Sequence, residues 1–178
     1  MSRQSRRSFL GSLIAAVPAI AAPRRLLAKV ADVRALRFTH THTGEKLAIE
    51  YFSGGDYVRD ALATLNHYLR DFRTDEVHVI DPGLLDLLHD LATVTGTLHP
   101  FQVISGYRSP ATNDMLRHRS EGVAAGSLHM MGQAIDIRLG DVALAKLRQA
   151  ALDARRGGVG YYPSSDFVHV DTGRVRRW

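Results

Sequence analysis

The chain has 178 residues, 45% of them hydrophobic, and a formal net charge of +5. That length fits one domain with a real core. With no cysteine the chain can form no disulfide, no thiolate metal site and no cysteine nucleophile. Residues 1–22 read as a twin-arginine-type signal peptide. Arg3, Arg6 and Arg7 precede an apolar run, Leu10–Ala22, which is too short for the ~20 residues that a bilayer requires. Ser5-Arg-Arg-Ser-Phe-Leu10 has the form of the export motif, with Gly11 where lysine commonly follows, and Ala19-Ile-Ala21 offers a cleavage site. Removing residues 1–21 takes away three arginines and no acid, leaving a net charge of +2. The basicity therefore belongs largely to the leader and gives no ground for a nucleic-acid partner. No later stretch is apolar enough to span a membrane.

Residues 23–31 form a short basic linker, and the domain occupies 32–178. Val33–Phe38 and Lys46–Phe52 are predicted as two strands of a hairpin around His40-Thr-His-Thr-Gly-Glu45. The pair His40-x-His42 has the form of a metal clip, but the turn accounts for its polar residues. Asp56 is predicted to cap a helix over Tyr57–Arg70, with Val58, Leu62, Leu65 and Leu69 as its buried stripe. Asp81 and Pro82 suit the start of a second helix, nearly all leucine on its inner side and ending before Gly96. Phe101–Ile104 is a short buried strand that delivers the chain into Ser105-Gly-Tyr-Arg-Ser-Pro110, a loop at a strand end. Ala111–Ser120 is a polar helix, and Gly122–Gly126 leads into the next motif.

In Ala134–Arg138 the residues alternate as a strand's do. Ile135 and Ile137 face one way and Asp136 the other. His129 stands just before, and Gly132 lets the chain turn so that the imidazole reaches the same spot. After a helix over Val142–Ala154 and a strand from Gly157, Pro163-Ser-Ser turns into Asp166-Phe-Val-His-Val-Asp171. There His169 points away from Val168 and Val170. If the two strands lie close, His129, Asp136 and His169 make three protein ligands with one open position, the set of a catalytic zinc. Asp171 stands two strand steps from His169, about 7 Å along the strand, so it would orient a ligand rather than bind the same ion. The tail Arg174-Val-Arg-Arg-Trp178 reads as a solvated basic patch. Helices come early and strands late, an α+β order with antiparallel hairpins.

Several separate motifs resemble those of the zinc DD-peptidases of bacterial cell wall: Ser105-Gly-Tyr-Arg-Ser109, Ser127-x-His129-x-x-Gly132-x-Ala134-x-Asp136, and Asp166-x-x-His169. That group includes D-alanyl-D-alanine carboxypeptidases, VanX-like dipeptidases and phage endolysins. A fuller resemblance, to the YcbK/MepK-like murein endopeptidase family, adds His42-Thr-Gly-Glu45, Leu69-Arg-Asp71 and Gly157 through Trp178. It implies a small antiparallel sheet flanked by helices, the hedgehog-like fold of these peptidases. It also implies bound Zn2+ and an exported, periplasmic enzyme that cuts amide bonds in the peptide cross-links of peptidoglycan. The resemblance makes Asp166, three residues before the last ligand, the general base and proton donor. It sets Arg108 at the cleft, where a guanidinium suits a substrate carboxylate or a developing oxyanion. Ser127 either contacts substrate or caps its turn. Two other readings fit the same motifs: a carboxypeptidase that trims a terminal D-alanine, and a zinc-bearing wall-binding module without catalysis.

The leader generates a first test. Replacing Arg6 and Arg7 with lysine should strand the precursor in the cytoplasm with its fold intact. Normal arrival of the double variant in the periplasm would mean a general secretory signal instead.

Overall fold

The computed structural model describes residues 32–119 and 124–178; the expected leader and linker lie outside them. Strands β1 (Arg34–His40) and β2 (Lys46–Ser53) form the expected hairpin. The chain then turns at Gly54 and Gly55, both at positive φ, into the two-residue strand β3 (Asp56–Tyr57). Asp56 is therefore no helix cap. It pairs with Ser53 across the turn, and the Val58 amide bonds back to the Tyr51 carbonyl. Helix α1 begins only at Arg59 and runs to Tyr68, with Val58 exposed and Leu65 and Leu69 buried.

Helix α2 (Pro82–Thr95) starts and stops as its sequence dictates. The Asp81 carboxylate accepts from the Gly83 amide at 2.8 Å, Pro82 occupies the first turn, and Gly96 closes the helix at φ 68. Leu84, Leu85, Leu88 and Leu91 are fully buried, each contributing about 1.5–3 kcal/mol relative to exposure. Strand β4 (Phe101–Ser105), helix α3 (Pro110–Arg119), strand β5 (Ala134–Leu139), helix α4 (Leu144–Ala154) and strands β6 (Gly158–Tyr162), β7 (Phe167–Asp171) and β8 (Arg176–Arg177) complete the order.

The sheet is neither small nor wholly antiparallel. Its eight strands run β3-β2-β1-β4-β5-β7-β6-β8. Two pairs are parallel, β1 with β4 and β6 with β8. The first of these joins the N-terminal hairpin to the later strands through a crossover carrying α1 and α2, so one continuous sheet replaces two hairpins. Helices α1, α2 and α4 cover one face and share a single core with Leu36, Phe38, Ile135, Ile137, Val168 and Val170. Alternation then presents Asp136 and His169 on the opposite face.

One buried carboxylate holds the β4–α3 loop against the segment after α1. Asp71 accepts from the Arg73 amide (3.0 Å), the Ser109 amide (2.9 Å) and the Ser109 hydroxyl (2.7 Å). The Tyr107 amide donates to the Leu69 carbonyl at 2.8 Å alongside. Burial alone would raise the Asp71 pKa, but these donors, with Thr112, outweigh it and lower it. The charged form is thus favoured by folding. Its contribution is complete above the unfolded value of about 3.9 and is lost as pH falls through the lower folded value. Asp71→Asn should therefore cost about 1–3 kcal/mol at neutral pH, with the gap to the parent closing below about pH 4. Urea unfolding of both proteins across that range checks it; a gap that is independent of pH would assign the loss to something other than the charge.

Candidate metal centre

Asp136 lies directly opposite His169 in the β5–β7 ladder. His129 reaches them from a single 3-10 turn, Leu128–Met131, which ends at Gly132 with φ 65. A side chain at Gly132 would also overlap the Val79 carbonyl oxygen, so conformation and space both require glycine there. The Gly132 carbonyl accepts from the Asp81 amide at 2.9 Å, which fastens the turn to the start of α2. All three side chains are buried.

The chemistry is fixed by what lies behind each imidazole. His129 has Nδ1 at 2.7 Å from the Gly106 carbonyl oxygen, which can only accept, so Nδ1 carries the proton and Nε2 presents its lone pair. His169 has Nε2 at 3.0 Å from Asp171 Oδ2, so its proton lies there and Nδ1 presents the lone pair. These two lone pairs converge with Asp136 Oδ1. The separations are 3.2 Å from His129 Nε2 to Asp136, 2.9 Å from His169 Nδ1 to Asp136, and 3.2 Å between the two nitrogens. Ligands about 2.0–2.1 Å from a tetrahedral ion stand roughly 3.3 Å apart. Three acceptors facing one point could hold a cation, and the spacing fits a small one.

The surrounding charges favour a cation at that point. Burial opposes ionisation of Asp136, yet the two histidines hold its carboxyl well below the usual range. Asp171, also buried, is held low by His169, Arg176 and the amides of Gly158 and Gly173. Burial lowers the His169 pKa, but the two flanking carboxylates raise it on balance, so positive charge is favoured here, either as a proton on Nδ1 or as a cation that replaces it. Arg176 grips Asp171 with both guanidinium nitrogens, at 3.1 and 2.8 Å. Trp178 lies 5.2 Å from the His169 ring and donates from Nε1 to the Tyr162 hydroxyl at 2.7 Å. Most of the tail is exposed, as a solvated patch would be, but Arg176 is committed to Asp171 and Trp178 packs beside His169. A cleft of about 460 Å³ opens onto the three ligands.

Residues 28–178 match the family described as Peptidoglycan L,D-endopeptidase MepK (Peptidase_M15_2). This chain belongs to that family. The MepK-type peptidoglycan L,D-endopeptidase of Escherichia coli K12 is 51% identical over 145 residues, 82% of this chain and 80% of its own length. A probable member from Haemophilus influenzae is 43% identical, over 88% of this chain and 86% of its own length. A solved L-Ala D-Glu endopeptidase, ChiX of Serratia marcescens, overlaps 52% of this chain and 70% of its own at 21% identity, with a TM-score of 0.33.

The other residues singled out in this MepK-family chain occupy different surroundings. Arg108 lines the cleft with its side chain only 11% exposed, and its Nη2 stands 3.6 Å from the Asp136 oxygen that faces away from the histidines. Burial lowers its pKa, against the pull of Asp136. Its Nε is buried without a partner among the described residues. Ser127 lines the cleft and makes no capping bond from its side chain. Asp166 is elsewhere. It occupies a left-handed position (φ 54) between Ser165 and Phe167, which both line the cleft, but its own side chain is 64% exposed and bonds Arg138 at 2.9 Å. His40 and His42 sit apart from the three-residue cluster. His40 Nδ1 accepts from the His42 and Thr43 amides, the work of a turn.

Purified protein should carry close to one metal ion per chain, and His129→Ala should lose most of it, since two ligands do not complete the shell. Asp171→Asn keeps all three ligands and should weaken metal affinity about 10–100-fold. Elemental analysis and competition with a chelator measure both. Undiminished metal in His129→Ala would move the site elsewhere.

Proposed function

We propose that this chain is an exported zinc metallopeptidase that hydrolyses amide bonds in the peptide cross-links of peptidoglycan, with L,D-endopeptidase specificity like that named for its relatives. One observation carries the reading: two imidazole lone pairs and a carboxylate oxygen converge beside a buried arginine on the floor of an open cleft. Two nitrogens and one oxygen, with room for a fourth position, suit zinc better than the harder, oxygen-seeking Mg2+ or Ca2+. Zinc held there supplies Lewis acidity, polarising a carbonyl and making water acidic enough to react near neutral pH.

The chain's own groups account for the remaining steps. His129 and His169 are held by Gly106 and Asp171, so they do not reorient as substrate enters. Arg108 contributes guanidinium donors at the cleft floor, placed to meet a carbonyl oxygen. A substrate oxygen there would gain a charge-assisted bond that strengthens as negative charge develops. Asp166 is the proposed general base, then the proton donor to the leaving amine. It reaches the cleft by releasing Arg138 and turning about its own irregular position, where no strand ladder opposes the rotation. The leader, residues 1–22, would deliver the enzyme folded to the periplasm.

Asp166→Asn separates this enzyme from a wall-binding module. General acid–base groups are worth about 10²–10⁴-fold in rate. The variant should keep its metal, melting temperature and binding to purified sacculi while losing muropeptide release to that extent. Full release from Asp166→Asn would remove it from the mechanism, and wild-type protein that binds sacculi but releases nothing would be a binder. Mass analysis of the released products identifies the bond cut.

A further inference from the structure

Three arginines line the cleft, Arg73, Arg108 and Arg176, and they differ in what answers their charge. Arg176 is committed to Asp171 through two bonds, and Arg108 faces Asp136. Arg73 has no carboxylate and no side-chain hydrogen bond among the described residues. It is nevertheless held in place. Its guanidinium lies over the Phe72 ring, 4.1 Å from the centroid, and the same ring stacks on His42 at 4.3 Å and 11° between planes. Its backbone is fixed as well, because its amide donates to buried Asp71. An exposed arginine usually sweeps through many rotamers, and ordering one costs conformational entropy. Here stacking on an aromatic face has already restricted the cation at the wall of the cleft, with its N–H edge available.

We infer that Arg73, backed by Phe72 and His42, is a carboxylate-binding subsite that reads a free carboxyl group of the stem peptide beside the bond to be cut. This rests on the peptidoglycan reading above and adds a specificity determinant to it. A planar guanidinium forms two parallel bonds to a carboxylate. A carboxamide of the same shape carries no charge and turns an N–H toward the arginine. The subsite therefore discriminates between free and amidated stems. Arg108 does not duplicate it, because Asp136 already takes up part of its charge.

The test is a binding cycle that needs no turnover. The probes are a synthetic L-Ala-γ-D-Glu-diaminopimelate tripeptide and versions amidated at one carboxyl each. Calorimetry compares them on metal-loaded wild type, Arg73→Gln and Arg73→Lys. One amidation should weaken binding to wild type by about tenfold, the scale of a lost charge-assisted pair. Arg73→Gln should bind the free tripeptide correspondingly more weakly and be indifferent to that same amidation. Arg73→Lys, which keeps the charge and loses the fork, should fall between. The subsite is overturned if Arg73→Gln retains the wild-type preference, if no amidation affects wild type, or if no peptide binds wild type at all. Muropeptide release from sacculi by wild type is read separately. An active enzyme without the Arg73 preference refutes the subsite alone, whereas the preference in a protein that releases nothing refutes the peptidase alone.

Discussion

The site depends on two imidazoles held so that each turns a lone pair, and not a proton, toward Asp136. Neither histidine could choose that tautomer alone. The Gly106 carbonyl makes the choice for His129, and Asp171 makes it for His169. The two use different nitrogens, Nε2 and Nδ1, because one arrives from a turn and the other stands on a strand facing its partner carboxylate. A rotated ring in either place would present an N–H to the common point and repel a cation.

Those orienting groups draw their stiffness from the scaffold. Gly106 belongs to a loop packed so closely that a side chain there would come within 2.6 Å of the Leu69 carbonyl oxygen. The same loop is fastened at Ser109 by buried Asp71. Asp171 is gripped by Arg176, which in turn lies over Trp178. The apolar face of the sheet supplies the remaining rigidity, since Ile135, Ile137, Val168 and Val170 fix the two ligand-bearing strands against α4, which packs in turn on α2. The positions of the three candidate ligands thus depend on isoleucine and valine packing as much as on the polar groups around them.

How much of this was readable in the chain follows from the range of each interaction. Alternation around Asp136 and His169 revealed both strands and the face of each ligand, because a period of two is a local signal. Helix α2 was legible from Asp81, Pro82 and Gly96 for the same reason. Asp56 misled, since a helix cap and a hairpin turn use the same residue type and only the pairing with β2 distinguishes them. The parallel β1–β4 pairing joins residues some sixty positions apart, and no local pattern encodes it. The embrace of Asp171 by Arg176 was hidden because a lone arginine in a basic tail has the same signature whether solvated or paired. The Arg138 bond to Asp166 was hidden likewise, as the two meet only once β5 and β7 are adjacent.

The last strand bears on how the candidate site is assembled. His169, Asp171, Arg176 and Trp178 fall within one short C-terminal stretch, yet β8 pairs with β6 and Asp171 clasps the Gly158 amide. Without that stretch, His129 and Asp136 would have no His169 beside them. Ordering these distant segments has an entropic cost that only the finished sheet offsets. The candidate site is therefore assembled from separate stretches of the chain: a chain whose C-terminal stretch is not docked lacks the His169–Asp171–Arg176 arrangement altogether.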